Sequence, residues 1–203
     1  MSIATWIALL WLGFAATHQL LLSSPVRERS VARLGLGGHQ FVFSVVAATF
    51  ALPNLWLALT RRGQAAEWWS FAAGLPLALP LFAVMGFALV LVVFAFVHRA
   101  PTLVAVGGPP EVRGILRVTR HPLMMGFALF GLSFLLWSGR STDVAFFGGL
   151  AAYALVGSWH QDRRYLREGV PGYREFYDAT RYFPFGRRSS LSRSRKPSGA
   201  LAA

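Results

Sequence analysis

The chain has 203 residues, of which 55% are hydrophobic and only 14% charged, and its 20 basic side chains against 8 acidic ones leave a net charge of +12. Soluble domains carry about 25% charged residues, and the mean hydropathy here is +0.48, so a soluble globular protein is excluded and an integral membrane protein is expected. There is no cysteine, which removes disulfides, thiolate metal sites and a cysteine nucleophile. The basic residues sit in loops beside apolar tracts, a pattern of membrane topology and anionic headgroups rather than of a nucleic-acid-binding face.

A bilayer crossing needs about 20 mostly apolar residues. Five segments are predicted to cross: Ile3 to Leu22, Phe41 to Thr60, Phe71 to Val97, Pro122 to Trp137 and Val144 to Trp159. The stretch before the first span has no basic n-region, so that span reads as uncleaved. Pro76 and Pro80 mark the entry or a kink of the third span. The expected fold is all-α: residues 1–185 form a transmembrane bundle of about five helices, and residues 186–203 a basic, Ser- and Arg-rich disordered tail drawn to anionic lipid.

The loops set the orientation. Loop one has Arg27, Arg29 and Arg33 against Glu28, and loop two Arg61 and Arg62 against Glu67. Loop three has Arg99, Arg113, Arg117 and Arg120 against Glu111, while loop four has only Arg140 and Asp143. The segment after Trp159 is the most basic of all. The positive charge places loops one and three and the tail in the cytoplasm and the N-terminus outside, as in a multi-pass protein of a bacterial inner membrane. On that topology all five histidines (His18, His39, His98, His121 and His160) fall at the cytoplasmic side. Either imidazoles simply favour interfaces, or they share a polar site at the inner mouth of the bundle.

His18, near the end of the first span, needs a partner at that depth. It is either a satisfied interhelical hydrogen bond or a ligand or catalytic group. Arg120-His121-Pro122 puts a cation and an imidazole where a basic loop turns into a hydrophobic helix. Proline suits the first helical position, and the helix start favours anions and a neutral imidazole. Arg117 and Arg120, three apart, can share one face of a helical turn and clamp a carboxylate or phosphate; alternatively the arginines are topogenic. His121 and Arg120 are therefore the candidate catalytic pair. Met124 and Met125 read as packing residues. From Trp159 onward a helix leaves the membrane, breaks at Gly169-Val-Pro-Gly172, and restarts as a segment whose Tyr173, Phe176, Tyr177 and Tyr182 alternate with Arg174 and Arg181. That pattern suits an amphipathic stretch along the headgroup layer, or a cap that supplies Asp162 or Arg163 to a cofactor.

Four stretches resemble the NnrU family, which includes a carotene isomerase. They are His18 with Leu21-Leu-Ser-Ser-Pro-Val-Arg27 and Val31-Ala-Arg-Leu-Gly35; Arg113-Gly-Ile-Leu-Arg-Val-Thr-Arg-His-Pro122 with Gly126; the span end from Leu136-Trp137 to Gly139; and Gly157-Ser-Trp-His-Gln-Asp-Arg-Arg164 leading to Phe183-Pro-Phe185. The resemblance implies a haem-linked isomerase or redox-type enzyme acting on a lipophilic substrate such as a polyene, with haem b held by two histidines. The first falls at His18 and the second at Phe134, and the cysteine that exchanges as a ligand falls at Gly131. A phenyl ring cannot ligate iron, which leaves His121 or His160 as the substitute. The implied metal ligands are then His18 and His121, and the implied cofactor-binding residues His18, Arg117, Arg120, His160 and Asp162.

Arg120-His121-Pro122, Gly126 and the segment Tyr173 to Pro184 are also similar to the isoprenylcysteine carboxyl methyltransferase group. That likeness implies S-adenosylmethionine with its carboxylate on Arg120, oriented by His121 and covered by the tail. The acidic pair that group usually has before the tail's leucine is not present; Gln161-Asp162 stands nearest, before Leu166 with an extra residue of spacing. The family name further implies a third role, a non-enzymatic accessory factor of respiratory nitrogen-oxide metabolism.

Overall fold

The computed structural model describes residues 1–70, 75–98 and 111–186. Its elements are six helices, α1 (Ile3–Leu22), α2 (Ser24–Thr60), α3 (Leu75–Val97), α4 (Pro122–Trp137), α5 (Ser141–Arg167) and α6 (Tyr173–Ala179), and two short strands, β1 (Glu67–Ser70) and β2 (Ser138–Arg140). Two 3-10 turns, Arg62–Gln64 and Gly114–Arg117, precede β1 and α4. Except for Gly186, the expected basic tail lies outside the described residues.

The chain packs as two compact units. The first comprises Met1–Leu81 and Phe130–Tyr153; the second comprises Phe82–Leu129 and the described part of Ala154–Ala203.

In the first unit, Ser2 caps α1 by accepting the Thr5 amide at 3.1 Å, satisfying one of the donors that a helix start leaves open. Pro25 sits in the first turn of α2, where its missing N–H costs nothing. This helix begins well before the expected second span and is interrupted at Gly35 (φ 70°, ψ 172°), a backbone region open essentially to glycine alone. Helices α1 and α2 then pack against each other: the ring of Phe50 occupies the space a side chain at Gly13 would need, and Asn54 reaches the Ile7 carbonyl at 3.5 Å. Beyond α2, β1 pairs antiparallel with β2, aligning Glu67 with Arg140 and Ser70 with Ser138. Trp69 donates its indole N–H to the Leu135 carbonyl at 3.2 Å, and its ring lies where Gly139 lacks a side chain. This ribbon joins the second and fourth loops.

In the second unit, α3 and α4 approach closely at Gly126, where an added Cβ would stand 2.6 Å from Val92 and 2.8 Å from the Ala88 carbonyl. The core here is Ala95, Leu116, Leu123, Tyr173 and Phe176, and each large side chain so buried is worth about 1.5–3 kcal/mol. The expected amphipathic segment turns two of its aromatic residues inward. Tyr173 and Phe176 of α6 are core residues, because a hydrogen-bonding partner inside the unit takes the Tyr173 hydroxyl.

Among the described residues, three helices are long and apolar enough to cross a membrane: Ile3–Leu22, Ser24–Thr60 and Ala78–Val97. Most of their residues stay exposed in the chain alone, an apolar surface that lipid covers. The fourth expected span, Pro122–Trp137, is an apolar helix of 16 residues, about 24 Å long at 1.5 Å per residue against a hydrocarbon core of about 30 Å. The fifth, inside α5, is interrupted by small and polar residues and is not among the three.

Candidate functional site

Helix α4 begins at Pro122, as the sequence indicated, and the two residues before it enter the second unit's interior. Arg120 and His121 are both buried. The tail pins this entry: the Arg120 amide donates to the Arg181 carbonyl at 2.8 Å, and the Thr119 hydroxyl donates to the Tyr182 carbonyl at 2.6 Å. The same Thr119 oxygen accepts the His121 amide at 3.2 Å. Further upstream, Gly114 (φ 52°) carries the chain beneath the imidazole of His98, whose Nε2 lies where a Cβ would fall. The Arg113-Gly114 step of the motif needs glycine for both reasons.

Asp162 of α5 organises the site. One oxygen, Oδ2, accepts from Arg120 Nε at 2.8 Å. The other, Oδ1, accepts from His121 Nε2 and from the Tyr173 hydroxyl, each at 2.6 Å. The Arg120 and Asp162 side chains are 3% and 5% exposed, so the pair is sealed from water. The Arg120 guanidinium also lies over the rings of Tyr177 at 4.0 Å and Tyr182 at 5.3 Å, a cation–π arrangement that gains strength away from solvent. Tyr182 in turn donates to the Leu155 carbonyl at 2.6 Å and shares a 2.8 Å hydrogen bond with Ser158.

Burial alone would raise the Asp162 pKa, but the hydrogen bond and charge of His121, the charge of Arg120 and the Tyr173 hydroxyl outweigh it and hold the carboxyl below its usual range. Burial, followed by the charge and hydrogen bond of Asp162, pushes the Tyr173 phenol well above its usual value, so it remains a donor. With Asp162 ionised, His121 carries its proton on Nε2. Its Nδ1 is buried and has no hydrogen-bond partner among the described residues. A carboxylate on one imidazole nitrogen fixes the orientation of the ring. When unprotonated, Nδ1 is the nitrogen left to accept a hydrogen bond.

The other expected site residues fare differently. Arg117 ends the 3-10 turn exposed while Arg120 is buried, so the same-face clamp of two arginines is not formed; the helical turn stops before Arg120. His160, half-buried on α5, takes no part in these hydrogen bonds. Arg163 lies over Trp159 at 4.1 Å. Sequence reasoning missed Tyr173 as a site residue, because a tyrosine in a mixed aromatic and charged segment carries no local sign of a distant carboxylate.

His18 and His39 lie in the first unit. The His18 ring meets Phe43 at 4.4 Å, Phe14 at 5.0 Å and Tyr153 at 5.6 Å, and Trp11 extends the cluster through Phe14 and Tyr153. His39 is buried 6.4 Å from the same Phe43. Phe134 stacks on Phe147 at 3.9 Å, with the Arg62 guanidinium 5.3 Å from its centroid. A haem held between His18 and position 134 does not fit, since the second position offers a phenyl ring locked in an aromatic stack. Among the described residues no group of three or more His, Cys, Asp or Glu could hold a metal ion.

Apolar helices of membrane-spanning length and a sealed Arg–His–Asp–Tyr network at a helix start define a helical membrane protein with a buried, oriented histidine. The chain belongs to the NnrU family: that family's model, described as NnrU protein, matches residues 6–192. It is 25% identical over 180 residues to the chloroplastic 15-cis-zeta-carotene isomerase of Arabidopsis thaliana, covering 87% of this chain and 48% of that protein. It is 39% identical over 72 residues to the protein of the same name from Zea mays, covering 36% of this chain and 20% of that one. The chain thus spans about half the length, or less, of the curated relatives it matches. No solved structure matches it.

Proposed function

We propose that this protein is a membrane-embedded isomerase of a lipophilic polyene of the carotene class. The observation that carries this reading is the similarity to a carotene isomerase over 87% of the chain. Two features support it. The rings of Trp11, Phe14, His18, Phe43 and Tyr153 offer aromatic surface suited to a conjugated hydrocarbon. In the second unit, the oriented His121, its charge balance kept by Asp162 and Arg120, supplies a basic nitrogen in a dry setting.

Haem enters this proposal only as a group on His18, and no step is drawn through it, because Phe134 removes the second ligand. The orientation with the N-terminus outside and the tail in the cytoplasm belongs to the same proposal.

The test is expression in bacterial cells that accumulate 15-cis-zeta-carotene, kept in the dark, with the isomers separated by chromatography. Conversion by the wild-type chain and its loss in His121→Ala and His18→Ala is the expected result; a stable, membrane-inserted protein that leaves the isomer ratio untouched overturns the reading. A visible spectrum of the same purified protein separates the versions, since a Soret band lost in His18→Ala places haem on that residue. The methyltransferase reading requires Arg120 to bind a cofactor carboxylate, yet Asp162 already occupies that guanidinium. Calorimetric binding of S-adenosylmethionine would revive it.

A further inference from the structure

The first unit holds a second polar feature, independent of the proposed isomerase activity. A cavity of about 400 Å³ opens where the turn after α2 meets the β1–β2 ribbon, walled by Arg62, Glu67, Ser70, Trp137, Ser138 and Arg140. We propose that this cavity binds a phosphate-bearing anion, with the phosphodiester of a membrane lipid as the source its position favours.

Position is the first argument. The cavity lies where the apolar helices α2 and α4 end, and Trp56, Trp68 and Trp69 are exposed around those ends. Tryptophans concentrate at the level of the headgroups, so the phosphodiester layer is the polar surface within reach. Charge is the second. Arg62 is committed inward, with Nε and Nη2 both 2.9 Å from Oδ2 of the buried Asp143, and that oxygen also accepts from the Ser138 hydroxyl at 2.5 Å. Among the described residues the Arg140 guanidinium has only long contacts: 3.7 Å to Glu67, with both side chains well exposed, and 3.5 Å to the Arg62 carbonyl. A phosphate oxygen would offer its guanidinium charge-assisted hydrogen bonds nearer 2.8 Å, in exchange for an exposed ion pair of little worth. The walls support the anion further. Among the walls, Arg140 is the guanidinium left to meet the anion, since Asp143 holds Arg62, and the Ser70 hydroxyl adds a donor.

The test is native mass spectrometry of the full chain in detergent, titrated in one arm with phosphatidylglycerol and in the other with inorganic phosphate. Arg140→Gln is expected to weaken binding about tenfold, the loss of one charged hydrogen-bonding group. Arg140→Lys, which keeps the charge, should recover most of it. An exposed arginine of the other unit, replaced in Arg113→Gln, should change nothing. Binding in the lipid arm alone assigns the site to a headgroup, and binding in the phosphate arm alone assigns it to the free anion. Affinities in both arms that are unchanged by Arg140→Gln, in a variant whose unfolding temperature matches the wild type, overturn the proposal.

Discussion

Two aspartates on α5, each facing an arginine, make the most informative comparison in the molecule. Asp143, in the helix's first turn, pairs with Arg62, whose side chain is 42% exposed beside an open cavity. Asp162, near its other end, pairs with an Arg120 that water does not reach and also gathers His121 and Tyr173. The chemistry of the two pairs is the same and the surroundings differ. The open pair ties two loops together and leaves guanidinium groups at a surface where a ligand can arrive. The sealed pair fixes the charge and orientation of a third residue, leaving one imidazole nitrogen unspent.

The sharpest way to break the comparison is to remove each carboxylate. Asp162→Ala strands a buried guanidinium and should cost about 3–5 kcal/mol. Asp143→Ala leaves Arg62 able to turn to solvent and should cost about 1–2 kcal/mol, the loss of its hydrogen bonds. Denaturant unfolding of both variants in the same detergent reads the difference, and equal losses would dissolve the distinction between sealed and open.

Acid probes the sealed pair more gently, since a protonated carboxyl still accepts hydrogen bonds. The Asp162 carboxyl is held below its usual range, so its contribution is complete above about 3.9, the value for an unfolded aspartate, and is lost as pH falls through the lower folded value. The unfolding temperature should therefore drop below about pH 4, and Asp162→Asn should flatten that drop. A parallel fall in the variant would show that other groups control acid stability.

Tyr173→Phe deletes one of the three donors to Asp162 and should cost about 1 kcal/mol. If the proposed function holds, it should also lower the isomer conversion in the carotene-accumulating cells, with the fold intact by circular dichroism. The smallest effect belongs to the open end. Glu67→Gln removes an exposed partner 3.7 Å from Arg140 and should change stability by less than about 1 kcal/mol, while tightening anion binding at Arg140.

How far the sequence spoke follows the same divide between local and long-range causes. The start of α4 was legible from proline after Arg-His, and the first and third spans from length and apolarity, because these are local properties of the chain. Arg120 and His121 were picked out for sitting at a helix start, and Asp162 for its place in the Trp159-to-Arg164 run. Their convergence was not legible, because it depends on α5 and the tail folding over the same spot. Tyr173 was assigned to the headgroup layer because its neighbours alternate aromatic and charged side chains. Arg62, Arg140 and Asp143 entered only as loop charges, since nothing local shows that the two loops form a ribbon.

The interruption at Gly35 bears on how the early helices are geared to one another. Side chains along an unbroken helix step around its axis by a constant angle, so the direction of each follows from that of any other. A residue at φ 70°, ψ 172° resets that count. The arginines at 27, 29 and 33 thus take their bearings from the segment before Gly35, independently of the residues after it. A β-carbon at that position would meet open space, so the cost of replacing this glycine lies in its backbone conformation alone.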